Sequence, residues 1–325
     1  MAISRKTSTM SILALASGLV LLTLLALGIW LWTPDRDRAQ LEATYLSTPG
    51  DMRQVGPWRL HLRDTGPRDA QAVVFIHGFG SSLHTWEAWA SAMESKHRIV
   101  RFDLPGNGLS DPDPTGDYSD ERSHQLIVAV MDSLGLAKAG IAGHSIGGRL
   151  AWTFAARHPQ RVERLVLVAP DGFASPGFEY GRAAEVPASM ALMRYALPKP
   201  LLKMSLAPAY ADPSVMTPAL TTRYQEMMLA PGARQAMLAR MRQTVLTDPV
   251  PQLRAIVVPT LLIWGEQDAM IPFANSSDYL RTLPNARLAA IPRVGHLPQE
   301  ERAAEGLRAF SSFLQATQAG PKTAP

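Results

Sequence analysis

Gly143-His-Ser-Ile-Gly147 decides the reading of this chain. The five residues fit the pattern Gly-x-Ser-x-Gly. An apolar run, Lys138-Ala-Gly-Ile-Ala142, leads into them, and a helix-like run, Gly147-Gly-Arg-Leu-Ala-Trp-Thr-Phe-Ala-Ala156, leads out. A serine at such a strand-to-helix turn is held in a strained backbone conformation with its hydroxyl exposed. The flanking glycines let neighbouring backbone pass without a Cβ clash. Ser145 is therefore a candidate nucleophile. Three fixed positions in five recur by chance, so the surrounding sequence must carry the case.

On both sides the sequence alternates strand with helix. Ala72-Val-Val-Phe-Ile-His77 is an unbroken apolar run, as a buried strand requires, and residues 59–64 alternate like a half-exposed one. Further strands are expected at 98–103, 164–169, 260–264 and 287–292. Helical spacing is expected at 86–96, 119–134 and 298–315. This rhythm predicts an α/β fold with a mostly parallel central sheet flanked by helices. The core is assigned to residues 57–170 and 251–316. Residues 171–250 break the rhythm with many prolines and no strand, and they hold eight of the fourteen methionines. They are expected to form a helical lid, and residues 317–325 a flexible tail.

Each strand end carries a chemical candidate. His77-Gly-Phe-Gly80 follows the 72–77 run; its backbone N–H groups can face a developing oxyanion, with Phe79 paired to Ile146. A serine hydroxyl needs an imidazole to take its proton, and the imidazole needs a carboxylate to fix its tautomer. Asp268, in Gly265-Glu-Gln-Asp268, and His296, in Val294-Gly-His296, follow the next strands in the order serine, acid, base. Glu266 and Asp171 are rival acids. Asp103, in Asp103-Leu-Pro-Gly-Asn-Gly-Leu-Ser110, is read as a turn-bonding carboxylate. His144 and His77 are read as structural.

The chain has 325 residues and a net charge of +4, with basic and acidic residues interleaved and no Lys/Arg block, so no nucleic-acid role is expected. It has no cysteine, which excludes disulfides, a thiol nucleophile and Cys-ligated metals. No cofactor or metal is called for.

Residues 11–32 are uncharged and apolar, and a helix of about 20 residues spans a hydrocarbon core of roughly 30 Å. The run is longer than a signal-peptide core and ends in Trp-Leu-Trp-Thr-Pro without a small-x-small site, so it reads as an uncleaved signal anchor. Arg5 and Lys6 precede it, which places residues 1–10 in the cytoplasm and the catalytic domain on the extracytoplasmic side of a single-pass membrane protein. Residues 33–56, polar and interrupted by Pro34, Pro49 and Gly50, read as a juxtamembrane linker.

Taken jointly, His77–Gly80, the 103–111 segment, Gly143–Gly148, Gly265–Asp268 and Gly295-His296 resemble the α/β-hydrolase superfamily over residues 57–316. The lid is similar to that of lipases, esterases and ring-cleavage C–C hydrolases, and the anchor to that of membrane-bound monoacylglycerol lipases. Haloalkane dehalogenases and epoxide hydrolases of this fold carry aspartate where this chain has Ser145. The resemblance implies a serine hydrolase acting on a small-molecule or lipid ester, with a C–C hydrolase as the alternative reading. A membrane-tethered binding protein is the non-enzymatic one. Met190, Met193, Met204, Met216, Met227, Met228, Met237 and Met241 could line an acyl pocket or pack the lid. Arg149 and Arg182 could each bind a carboxylate, but a solvated surface role is expected of both.

Overall fold

A computed structural model describes residues 3–174, 179–183 and 185–318. Eight strands form one sheet: β1 (Met52–Val55), β2 (Trp58–Thr65), β3 (Ala72–Ile76), β4 (Arg98–Phe102), β5 (Ala139–His144), β6 (Val162–Val168), β7 (Thr260–Gly265) and β8 (Ala286–Ile291). Their order across the sheet is β1-β2-β4-β3-β5-β6-β7-β8. β1 and β2 are antiparallel to their neighbours and the remaining pairings are parallel.

The parallel strands are apolar on both faces because helices cover both. Along β3, Val73 and Phe75 face one way, toward Trp86, Trp89, Phe310 and Phe313. Val74 and Ile76 face the other way, toward Leu126, Ile127, Val130 and Leu150. The period of two thus divides one strand between two cores. Helices Glu87–Met93 and Ala303–Gln318 supply the first cover, and Asp120–Ser133 and Ile146–Arg157 the second. The strand order reverses between β3 and β5, which opens a crevice at their carboxyl ends.

The described residues of the segment between β6 and β7, termed the lid below, form helices Lys199–Leu206, Pro218–Met228 and Ala233–Gln243 among short 3-10 turns. The predicted tail is partly helical, since the last helix continues to Gln318. Residues 319–325 lie outside the described residues.

One helix, Ile3–Leu31, is long and apolar enough to cross a membrane: Leu13–Leu31 has a mean hydropathy of 2.3 with none of it buried. A row of exposed leucines of this size on water is rare in soluble chains.

Residues 33–56 are not a linker. They contain helix Arg38–Tyr45, capped by the Asp37 side chain accepting from the Gln40 N–H, and strand β1. Leu41 is buried against Leu109, Met227, Ala230 and Ala233. The polar look of this stretch misleads because its few apolar residues find partners far along the chain. Its first residues clasp the lid. The Arg36 N–H donates to Leu229 O at 2.8 Å, and the Thr33 N–H to Tyr195 O at 2.7 Å. Arg234 donates to Thr33 O at 2.7 Å and pairs with Asp35 at 2.5 Å. Trp32 stacks on Tyr195.

Candidate active site

Ser145 sits at the turn between β5 and helix Ile146–Arg157, with φ 55° and ψ −122°. An L-residue held there stores about 1–3 kcal/mol of strain. The surroundings over-determine it. The Ser145 N–H donates to Val168 O, and Ser145 O accepts from the Arg149 and Asp171 N–H groups, all at 3.0 Å. Because a peptide unit is planar and trans, fixing the Ser145 carbonyl aims the Ile146 N–H the opposite way.

The same device operates across the crevice. His77 is fully buried after β3. Its Nε2 accepts from the Leu104 N–H at 2.9 Å, so the proton is on Nδ1, which donates to Gly78 O at 2.7 Å. The Ser81 N–H donates to the same oxygen at 3.3 Å. With the Gly78 carbonyl held twice, the Phe79 N–H points away from it. This loop abuts the serine: a Cβ on Gly78 would lie 3.3 Å from Ser145 Cβ. Both expected oxyanion donors are therefore preset by their carbonyls.

Asp268 and His296 meet as expected: His296 Nδ1–H donates to Asp268 Oδ2 at 2.8 Å. Asp268 Oδ1 accepts from the Met270 and Ile271 N–H groups at 2.8 and 2.9 Å, which orients the carboxylate. The two loops are zipped together, since the Gln267 N–H donates to Val294 O at 2.9 Å. The imidazole thus carries its proton on Nδ1 and leaves the Nε2 lone pair for a hydroxyl. The Ser145 hydroxyl is not hydrogen-bonded to His296 in this structure; such contacts tighten when substrate binds.

The rivals are occupied elsewhere. Glu266 is exposed. Asp171 pairs with Arg149 at 3.3 Å, and burial raises its carboxyl above the usual range while Arg149 opposes the shift. Arg149, expected to be solvated, is instead only 3% exposed because it neutralises Asp171 and Asp120 beside helix Ile146–Arg157. Arg182 is exposed beside Glu185. Asp103 accepts from the Leu83 and Leu109 N–H groups and from His61 Nδ1. Burial alone would raise its carboxyl, but His61 and its neighbours hold it at about 2.

His144 is hydrogen-bonded as expected, and its partner is informative. Its Nε2–H donates to His296 O at 2.9 Å, and the two rings lie 4.6 Å apart. The residue before Ser145 therefore holds the backbone of His296, a link over 152 residues that spacing alone does not reveal. The lid methionines do not form one lining. Met227, Met228 and Met237 gather beside Gly80 and Gly106, Met216 packs on Leu297, and Met204 is 71% exposed.

Residues 71–303 match the sequence pattern of the α/β hydrolase fold, well over half of the chain. The chain belongs to the α/β-hydrolase fold family. Among members of the family, it is 31% identical over 271 residues to the 2-hydroxy-6-oxononadienedioate/2-hydroxy-6-oxononatrienedioate hydrolase of Burkholderia vietnamiensis, covering 79% of this chain and 91% of that one. It is 29% identical to the dihydrolipoyllysine-residue acetyltransferase component of an acetoin cleaving system from Pseudomonas putida, covering 81% and 68%. The enol-lactonase of Burkholderia xenovorans superposes with a TM-score of 0.70 at 25% identity, over 80% of this chain and 98% of that one. A bacterial membrane phospholipase A superposes equally well at 23% identity, over 94% and 99%. That last likeness concerns the fold. The fold and these relatives indicate a hydrolase.

Among the buried histidines of this α/β-hydrolase, burial pushes four below the usual imidazole range. They are His77, His84, His124 and His144, with His84 at about 3 and His124 at about 4. In the unfolded chain they bind protons near pH 6.5. Between pH 6.5 and 4 the unfolded state therefore holds more protons, and stability falls as pH falls. His124 alone removes on the order of 3 kcal/mol across that window. The Tm is expected to be clearly lower at pH 5 than at pH 7.5; equal values would contradict the neutral, buried assignment.

Proposed function

We propose that the protein is a serine hydrolase that cleaves carboxylic esters through an acyl-enzyme on Ser145. Ser145 Oγ attacks the ester carbonyl carbon and His296 Nε2 takes the hydroxyl proton. The carbonyl oxygen becomes an oxyanion facing the Phe79 and Ile146 N–H groups, which need not reorganise. Asp268 stabilises the imidazolium. Collapse of the intermediate breaks the C–O bond, and the alcohol leaves with the proton from His296. Water repeats the cycle on the acyl-enzyme and releases the acid.

The observation that supports the ester reading is the apolar corner beside the oxyanion loop. A Cβ on Gly80 would sit 3.6 Å from Met237 Sδ and 3.8 Å from Met228 Cε. Flexible thioethers at that place suit an acyl chain. The nearby cations are engaged: Arg149 with Asp120 and Asp171, Arg223 with Glu300, and Arg234 with Asp35.

The relatives named for C–C hydrolysis support a second reading, in which the same serine and histidine cleave a diketone acid. Arg240, buried and without an ion-pair partner among the described residues, is the group that could meet such a carboxylate. The apolar N-terminal helix supports placement at a membrane, and Arg5 and Lys6 ahead of it support an extracytoplasmic catalytic domain.

One experiment tests these readings together. A carbonate-washed membrane fraction is assayed on p-nitrophenyl esters of rising chain length, monoacylglycerols and a meta-cleavage diketone acid. Ester turnover that remains with the washed membranes is expected. Turnover of the diketone acid with no ester hydrolysis would overturn the ester assignment. Loss of the protein to the supernatant would overturn the anchor.

A further inference from the structure

Glu301 ends the short helix Pro298–Glu301 that follows His296, and no part of the mechanism above uses it. Its carboxylate is nearly buried, at 9% exposure. Among the described residues no Lys, Arg or His forms an ion pair with it. Three backbone N–H groups serve it instead. Oε2 accepts from Gly295 at 2.7 Å and from Ala211 at 3.2 Å, and Oε1 accepts from Asp212 at 2.8 Å. Gly295 immediately precedes the base, whereas Ala211 and Asp212 belong to the lid. Bonds from backbone N–H groups to an ionised carboxylate are the stronger kind, about twice a neutral pair.

The lid lies directly on the histidine loop at this point. The His296 N–H donates to Ala209 O at 2.8 Å. A Cβ on Gly295 would fall 2.7 Å from both Ala209 O and Ala211 N, so only glycine admits the lid backbone so close. Neighbouring Glu300 takes the Tyr210 and Tyr224 hydroxyls at 2.6 and 3.1 Å, which fixes the same lid segment by its side chains. Glu300 holds only the lid. Glu301 holds the lid and the histidine loop together.

From this arrangement we propose that Glu301 is a further positioning residue for His296, beside Asp268 and His144, joining the Gly295 N–H to lid residues 211–212 so that the imidazole is aligned while the lid is seated. The inference rests on the serine-hydrolase reading and adds to it a coupling between lid and base. Removing the carboxylate strands three N–H groups and loosens the loop at Gly295, while the bonds to Val294 O, His296 O and Ala209 O remain. A shift of the imidazole of about 1 Å costs on the order of 100-fold in the chemical step.

The test follows the rate and final stoichiometry of fluorophosphonate labelling, with kcat and KM on an ester, for the full-length protein in detergent. Glu301→Ala is expected to label 10- to 100-fold more slowly, to the wild-type final stoichiometry, with kcat falling and KM little changed (roughly the loss a misaligned base produces). Glu301→Gln is expected to recover most of the rate, because its amide oxygen can still accept from Gly295 and Ala211. Glu300→Gln, which leaves the Gly295 N–H untouched, should label close to the wild-type rate. Wild-type labelling by Glu301→Ala, or equal slowing by Glu300→Gln, would overturn the inference. If Glu301→Ala does not fold, Glu301→Asp, whose arm is one methylene short, must label more slowly than Glu301→Gln; equal rates overturn it. If the wild type itself does not label, the serine-hydrolase reading falls separately. The coupling is then judged on the downfield proton of His296 Nδ1–H, which must exchange faster in Glu301→Ala than in Glu300→Gln, and equal exchange sinks it.

Discussion

Ser145→Ala is expected to lower kcat on a p-nitrophenyl ester by roughly 10⁴- to 10⁶-fold, the range seen when a nucleophile that works as a unit with its base is removed. The methyl group fits the same strained turn, whose conformation is set by the bonds to Val168, Arg149 and Asp171. Folding should therefore be preserved, and the loss belongs to chemistry. His296→Ala should cost about as much, and the double variant little more than either, because an unactivated hydroxyl and an imidazole with nothing to deprotonate are equally idle. Initial rates at saturating ester, with fluorophosphonate labelling, check both points. A Ser145→Ala protein that keeps even a tenth of the wild-type rate would show that the bond is broken elsewhere.

The second large effect concerns folding. Gly147→Ala would ordinarily be welcome in a helix, where alanine is favoured over glycine by about 1 kcal/mol. Here the new Cβ would lie 2.4 Å from both Ile76 O and His77 O. Both are backbone atoms at the end of a buried strand and cannot turn aside. We expect a destabilisation of about 3 kcal/mol or more. For a domain of this size that corresponds to a fall in Tm of roughly 6–12 °C. The residual folded protein should also be slow, because the displaced atoms carry the Gly78 and Phe79 peptide. Gly50→Ala is the contrast: its Cβ would meet only Thr48 Oγ1, at 3.6 Å, and its Tm should barely move. Equal Tm values for the two variants would mean that the close approach of helix and strand is misplaced.

The legible parts of this molecule were those in which chemistry and local geometry coincide. Gly143 and Gly147 flag the turn because only glycine passes the backbone there. Asp268 and His296 were identifiable because each follows an apolar strand with no other plausible role. Strands β3 to β7 were readable because both of their faces are buried. What escaped notice depends on distant partners. Leu41 looks like one leucine in a polar stretch until Leu109 and Met227 are seen against it. Arg149 looks like a surface arginine until two carboxylates from other elements arrive. Glu301 sits among other charged residues, and only the lid backbone gives it three donors. The lid methionines share a composition but not a location, so their number said nothing of where a chain would bind.

The clasp at residues 32–36 ties the end of the apolar helix to the segment between β6 and β7. Arg234 is 3% exposed and takes two of its partners, Thr33 O and Asp35, from the stretch that follows the helix. A protein shortened to begin at Arg38 keeps its whole sheet, Ser145 and His296. It also keeps a buried guanidinium stripped of its carboxylate, a defect of the kind that costs about 3–5 kcal/mol. Such a shortened protein, convenient as it would be for handling in water, lacks the contacts that fasten Tyr195, Leu229 and Arg234, so measurements on it describe a segment less firmly held than that of the intact chain.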